Sequence, residues 1–125
     1  MKSPYTGLRR IFHAFKYSID GITATFKSES SFRQDIILCI LAAVLSCFLD
    51  VSTLSRIIML FSLMFIIIAE LVNTALETIV DRISPDKNPL SKKAKDIGSA
   101  IVMITIICVC ALWVALIFFE YSWCL

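Results

Sequence analysis

Residues 57–82 read IIMLFSLMFIIIAELVNTALETIVDR. From Ile57 to Ile68 the only polar side chain is Ser62, yet the stretch runs on without glycine or proline into Glu70, Asn73, Glu77 and Asp81. A single helix has to carry both halves. At about 100° per residue, Glu77 projects about 20° from Glu70, Asn73 about 60° to one side, Thr74 about 40° to the other, and Asp81 about 20° away. These residues form one polar stripe on a helix whose earlier turns are apolar all round.

The rest of the chain supplies the setting. Its 125 residues are 58% hydrophobic with a mean hydropathy of +0.85, well above the range of soluble domains, so one membrane-embedded domain is expected. A spanning helix needs about 20 mostly apolar residues to cross the hydrocarbon of a bilayer. Ala100–Phe119 meets this directly, whereas Ile36–Leu49 and Ile57–Ala69 need flanking residues to do so. Spans are therefore placed at about 32–50, 54–80 and 97–120.

Leu8, Ile11, Phe12, Phe15, Ile19, Ile22 and Phe26 recur at helical spacing ahead of the first span, with Arg9, Arg10, His13, Lys16, Tyr17 and Asp20 between them. The pattern predicts an amphipathic surface helix over about 7–27. KSESS (27–31) should break it, with a serine capping the first span, and DVSTLS (50–55) should turn the chain back. In RISPDKNPLSKKAK (82–95) Pro85 and Pro89 interrupt the helix, and Ser91 is placed to cap the third span. The fold class expected is an all-α membrane protein, a surface helix plus three transmembrane helices.

Orientation follows from the basic residues. Lys2, Arg9, Arg10, Lys16, Lys27 and Arg33 precede or open the first span, and Arg82, Lys87, Lys92, Lys93 and Lys95 lie between the second and third, against Arg56 alone in the other short loop. The positive-inside rule puts the N-terminus in the cytoplasm and the C-terminus outside. MKSPYTGLRR lacks the apolar core and small-residue site of a cleaved signal peptide.

Several functions are excluded. A net charge of +2 gives no broad basic field for nucleic acid. Cys39, Cys47, Cys108, Cys110 and Cys124 form no C-x-x-C, and the single His13 has no companion at metal-ligand spacing, so the cysteines read as small hydrophobes. Trp113 and Trp123 read as membrane packing and interface anchors. No glycine-rich phosphate loop is present, with only Gly7, Gly21 and Gly98 in the chain.

The stripe itself points to chemistry. At about 1.5 Å per residue, Glu70 lies roughly 20 Å beyond Ile57 and Glu77 about 10 Å further, so the stripe starts in the bilayer and emerges at the cytoplasmic interface. Carboxylates without a basic residue in the same span attract a cation, and Lys95, Asp96, Ser99, Glu29 and Arg33 stand at the same level. This inventory suits phosphoryl transfer: carboxylates for Mg²⁺, cations for phosphate and one carboxylate as a base. On spacing alone a cation- or proton-coupled transporter fits equally well, and a purely structural bundle remains the third reading.

Three motifs, ESSFRQD (29–35), AELVNTALETIVDR (69–82) and LSKKAKDIGSA (90–100), supported by GLRRI (7–11) and CFLD (47–50), decide between them. Through these the chain resembles the bacterial integral-membrane diacylglycerol kinases over nearly its whole length. The resemblance implies a homotrimer that uses ATP and a divalent metal, Mg²⁺, to phosphorylate the primary hydroxyl of diacylglycerol to phosphatidate. It implies Glu70 as the general base, Glu29 and Glu77 as metal ligands, and Asn73 in the polar cluster beside the base. Nucleotide contacts implied are Arg10, Tyr17, Glu29, Glu77, Asp86, Lys87, Asn88, Lys95 and Asp96. Lipid contacts implied are Arg10, Ser31, Phe32, Arg33, Gln34, Asp35, Arg56, Glu70, Ser99 and Trp113. The loop KNPLSKK departs from the family pattern, and Asp35 replaces the commoner Glu. The related undecaprenol kinases share the Glu70 stripe, but their segment after K-D tends to read AAGA where this chain has IGSA (97–100), which favours diacylglycerol over a polyprenol.

Overall fold

A computed structural model describes residues 6–83 and 87–122. Four helices account for nearly all of them: α1 Gly7–Ser28, α2 Ser30–Phe48, α3 Thr53–Ile83 and α4 Pro89–Ser122. α1 is helical over the range where the first helix was expected, and the other three are each long and apolar enough to cross a membrane. α3 is the hub. It packs on α1, α2 and α4, most extensively on α4, while among the described residues the backbones of α2 and α4 do not approach each other closely.

The interior is thin. Phe32 and Met59 are wholly buried, joined by Val51, Leu63, Ala69 and Val109, whereas most apolar side chains of α2 and α4 face outward. In water such a surface would not stay monomeric; in hydrocarbon it is the expected exterior. Midway along the bundle, Trp113 of α4 donates its indole N–H to Ser62 Oγ of α3 at 3.0 Å, and Ser62 donates in turn to Met59 O at 2.6 Å. The indole N–H is thus satisfied inside the bundle.

Both helix joints are tighter than the sequence suggested, and an arginine closes each. Only Glu29 separates α1 from α2. It is extended (φ −103°, ψ 116°), and its N–H bonds to Thr25 O at 2.9 Å. Arg33, one turn ahead, donates through Nη1 to Phe26 O at 2.8 Å and Lys27 O at 3.2 Å. The expected serine cap is not used, because Glu29 holds the N-cap position without a side-chain capping bond and Ser30 and Ser31 lie inside α2. At the far end Arg56 donates to Ser46 O at 3.1 Å through Nε and to Leu49 O at 2.9 Å through Nη2. Both arginines satisfy carbonyls that a helix C-terminus leaves open.

The connection before α4 also differs from expectation. α3 runs on to Ile83 and α4 begins at Pro89, so Lys92 and Lys93, expected in the loop, lie on the helix together with Lys95. Asn88, not Ser91, provides the cap: its Oδ1 accepts the Leu90 N–H at 2.8 Å, with proline at the first helical position where its missing N–H costs nothing. Pro85, and the expected interruption there, lies outside the described residues.

The antiparallel path of α2 and α3 puts the start of α2, the polar half of α3 and the start of α4 at one end. At the other, Glu120 of α4 accepts hydrogen bonds from Ser52 and Ser55 at the beginning of α3, closing the bundle opposite the polar stripe. The Arg56 joint gives a direct test of the frame. Arg56→Ala removes two charge-assisted bonds and is expected to destabilise the protein by about 2 kcal/mol, read as a lower unfolding midpoint in detergent micelles. An unchanged midpoint would mean that water replaces the guanidinium there at no cost.

Candidate active site

Glu70 sits where the apolar half of α3 gives way to the polar half, and it is 3% exposed. A carboxylate so deep requires a donor. Ser31 of α2 supplies it, Oγ donating to Glu70 Oε1 at 2.5 Å. Asp35, one turn further along α2, is half-buried and within electrostatic reach of Glu70, so two carboxylates face one seam.

Asn73 follows one turn along α3. Its Oδ1 is buried and, among the described residues, is the one buried side-chain polar atom without a hydrogen bond. It points at Gly98 of α4, where a Cβ would lie 2.4 Å from it and 3.4 Å from Leu76 Cδ1. Gly98 therefore lets α4 approach the polar stripe closely, a contact no larger residue permits without displacing Asn73.

Further along, Lys95 pairs with Asp81 at 2.5 Å, joining the end of the stripe to the first turns of α4. The hydrogen bond to Asp81 holds the Lys95 pKa above its ordinary value; the charges of Asp81 and Glu77 act in the same direction, against partial desolvation. Glu77 is half-buried and faces this lysine. Asp96 pairs on the exposed side with Lys92 at 2.5 Å. Glu29 accepts from Ser28 Oγ at 3.0 Å at the head of α2.

Two grooves run beside α3. One, about 560 Å³, lies between α1 and α3 and is lined by Tyr17 and Thr25 on one side and Thr74 and Thr78 on the other. The second is the gap between α2 and α4, a largely apolar cleft of about 440 Å³ floored by α3, with Asp35 among its lining residues and Trp113 across from it on α4.

The expected site residues thus divide. Glu70, Ser31 and Asp35 gather between α2 and α3, Asn73 faces Gly98 of α4, and Glu77, Lys95 and Asp81 continue the stripe along α3 and α4. Arg10 and Tyr17 are exposed on α1, Gln34 and Ser99 are exposed beside the seam's helices, and Lys87 is exposed ahead of α4. Phe32 is wholly buried and anchors the start of α2, while Arg33 and Asn88 spend their polar atoms on helix ends. Arg56 stands at the opposite end, about 20 Å from Glu70 along α3, and does not join this cluster. Asp86 lies outside the described residues. Among those described, no three His, Cys, Asp or Glu side chains converge as a metal cage.

Ser31 as the partner of Glu70, and Gly98 as the floor under Asn73, are not legible from spacing. Both depend on contacts between helices far apart in sequence. The lone glycine within α4 was the one available signal.

Three helices long and apolar enough to cross a membrane, with a carboxylate buried where the apolar half of α3 ends, define a membrane-embedded helical bundle with a polar site. The family profile described as prokaryotic diacylglycerol kinase matches residues 16–118. The chain is 39% identical over 122 residues to the diacylglycerol kinase of Escherichia coli (strain K12), covering 98% of this chain and 100% of that one. It is 38% identical to those of Pseudomonas aeruginosa over 112 residues (90% and 91% covered) and Haemophilus influenzae over 114 (91% and 97% covered). The chain belongs to the prokaryotic diacylglycerol kinase family, and it is a membrane lipid kinase.

The Asn73–Gly98 contact is testable by packing alone. Gly98→Ala is expected to lower stability by about 1 kcal/mol, the low end for overpacking because the displaced group is a side chain. Adding Asn73→Ala should restore most of the unfolding midpoint; a double variant no more stable than Gly98→Ala would place the strain elsewhere.

Proposed function

We propose that the protein transfers the γ-phosphoryl group of ATP to the primary hydroxyl of 1,2-diacylglycerol, releasing ADP and forming phosphatidate at the cytoplasmic face of the bacterial inner membrane. Glu70 takes the hydroxyl proton as the oxygen attacks phosphorus and the bond to the ADP oxygen breaks. The observation that carries this reading is the position of Glu70: buried, paired with no cation among the described residues, and set at the boundary between the apolar and polar halves of α3. A diacylglycerol hydroxyl lies at that depth, just beneath the headgroups. Its acyl chains suit the apolar cleft between α2 and α4.

The nucleotide approaches from the polar end. Lys95, with Arg10 and Tyr17 on α1, is placed to hold phosphate and base, and Glu29 and Glu77 would hold the divalent ion. When bound, Mg²⁺ neutralises charge on the phosphates and fixes them for in-line displacement. The protein's own part is positioning and one proton transfer. Arg10, Lys16 and Lys27 on α1 suit a helix lying against anionic headgroups, its exposed Leu8, Phe12 and Phe15 turned to the acyl region. The homotrimer implied by the resemblance would cover apolar faces that one chain leaves open and bring a neighbour against the half-exposed part of the stripe.

Glu70→Gln is expected to cut turnover by about 10²–10⁴-fold, the range for a lost general base, with Mg-ATP affinity preserved. Loss of nucleotide binding with chemistry intact at saturation would remove Glu70 from that role. Glu77→Gln is expected to move the Mg²⁺ activation curve to higher metal concentration, and an unmoved curve would take it out of the metal site.

A further inference from the structure

A general base needs its carboxylate aimed as well as ionised. Glu70 has several rotatable bonds, and nothing on α3 itself fixes which oxygen faces the substrate. The surrounding polar groups do not settle the matter. Asp35 carries like charge, Asn73 presents its carbonyl oxygen to Gly98, and Lys95 is paired with Asp81. The contact from Ser31 Oγ to Glu70 Oε1 is the hydrogen bond to Glu70 among the described residues.

Ser31 is well suited to hold something still. On its N-terminal side the chain is fixed by the Glu29 N–H bond to Thr25 O. On its C-terminal side Phe32 is wholly buried and Arg33 is bonded to the last carbonyls of α1. The hydroxyl therefore projects from a rigid corner and not from a loop, which is what a positioning group requires. A serine hydroxyl has one proton to donate, and here it goes to Oε1.

We infer that Ser31 is a positioning residue for the base: by donating to Glu70 Oε1 it presents Oε2 to the substrate hydroxyl. The inference rests on Glu70 acting as the base. It gives Ser31 a part in the reaction distinct from a place along the lipid's path. During transfer the substrate proton passes to Oε2, and Ser31 keeps its own proton throughout, as a fixed donor.

The test compares wild-type protein with Ser31→Ala and Ser31→Thr in mixed micelles containing diacylglycerol and Mg-ATP. Ser31→Ala is expected to lower kcat by about tenfold, the low end for a lost hydrogen bond to a charged group, with KM for Mg-ATP and for diacylglycerol nearly unchanged. Ser31→Thr, which keeps the hydroxyl, is expected to recover most of kcat. Infrared spectra provide a readout independent of turnover: the carboxylate band identified by its loss in Glu70→Gln should shift in Ser31→Ala and stay in place in Ser31→Thr. An active wild type whose Ser31→Ala variant keeps full kcat, or loses only KM for the lipid, would overturn the inference alone. A wild type that transfers no phosphate to diacylglycerol would overturn the function and the inference with it.

Discussion

Placing an ionisable carboxylate on a membrane-spanning helix costs free energy, about 2.5–3.5 kcal/mol at the bilayer centre on insertion scales and less toward either boundary. Much of the architecture follows from accommodating Glu70 there. It is set at the end of the apolar stretch of α3, enclosed by packing, and given a neutral donor by Ser31. That donor has to come from another helix, so α2 must begin at the level of Glu70. The one-residue joint at Glu29 makes it do so.

The same economy governs the helix ends. Carbonyls at the C-termini of α1 and α2 have no partner within their own helix, and each set is met by an arginine from the helix that follows. Arg33 and Arg56 thus belong to the frame in the single chain, one at each end of α2. On the opposite side of α3, Gly98 allows α4 to close on the polar stripe, and the Lys95–Asp81 pair extends that contact beyond the apolar zone. The result is a polar stripe held between α2 and α4, with a groove on either side of α3.

Much of this was readable in advance. The 3.6-residue period of Leu8 to Phe26, the lengths of the apolar runs and the turn residues gave the first three helices within a few residues of their observed limits, because these depend on local composition, whereas α4 starts at Pro89, well ahead of the span expected from 97. The stripe from Glu70 to Asp81 was legible for the same reason, since one helix carries it all. The joints were not. A serine-rich KSESS suggested side-chain capping, but Arg33 and an extended Glu29 do that work. Ser91 looked like a cap, and Asn88 with Pro89 took the position instead. The pairing of Ser31 with Glu70 spans 39 residues and depends on the relative rotation of two helices, which no periodicity encodes. The family resemblance carried the assignment of chemistry, whereas the residues alone left kinase and transporter level.

The most direct test of the central claim is phosphate transfer from Mg-ATP by the purified protein in mixed micelles that contain diacylglycerol and a polyprenol together. Phosphatidate as the dominant product is the result expected of a carboxylate base held at headgroup depth beside an acyl-sized cleft. Phosphorylated polyprenol as the main product, or no transfer to either lipid, would contradict the account.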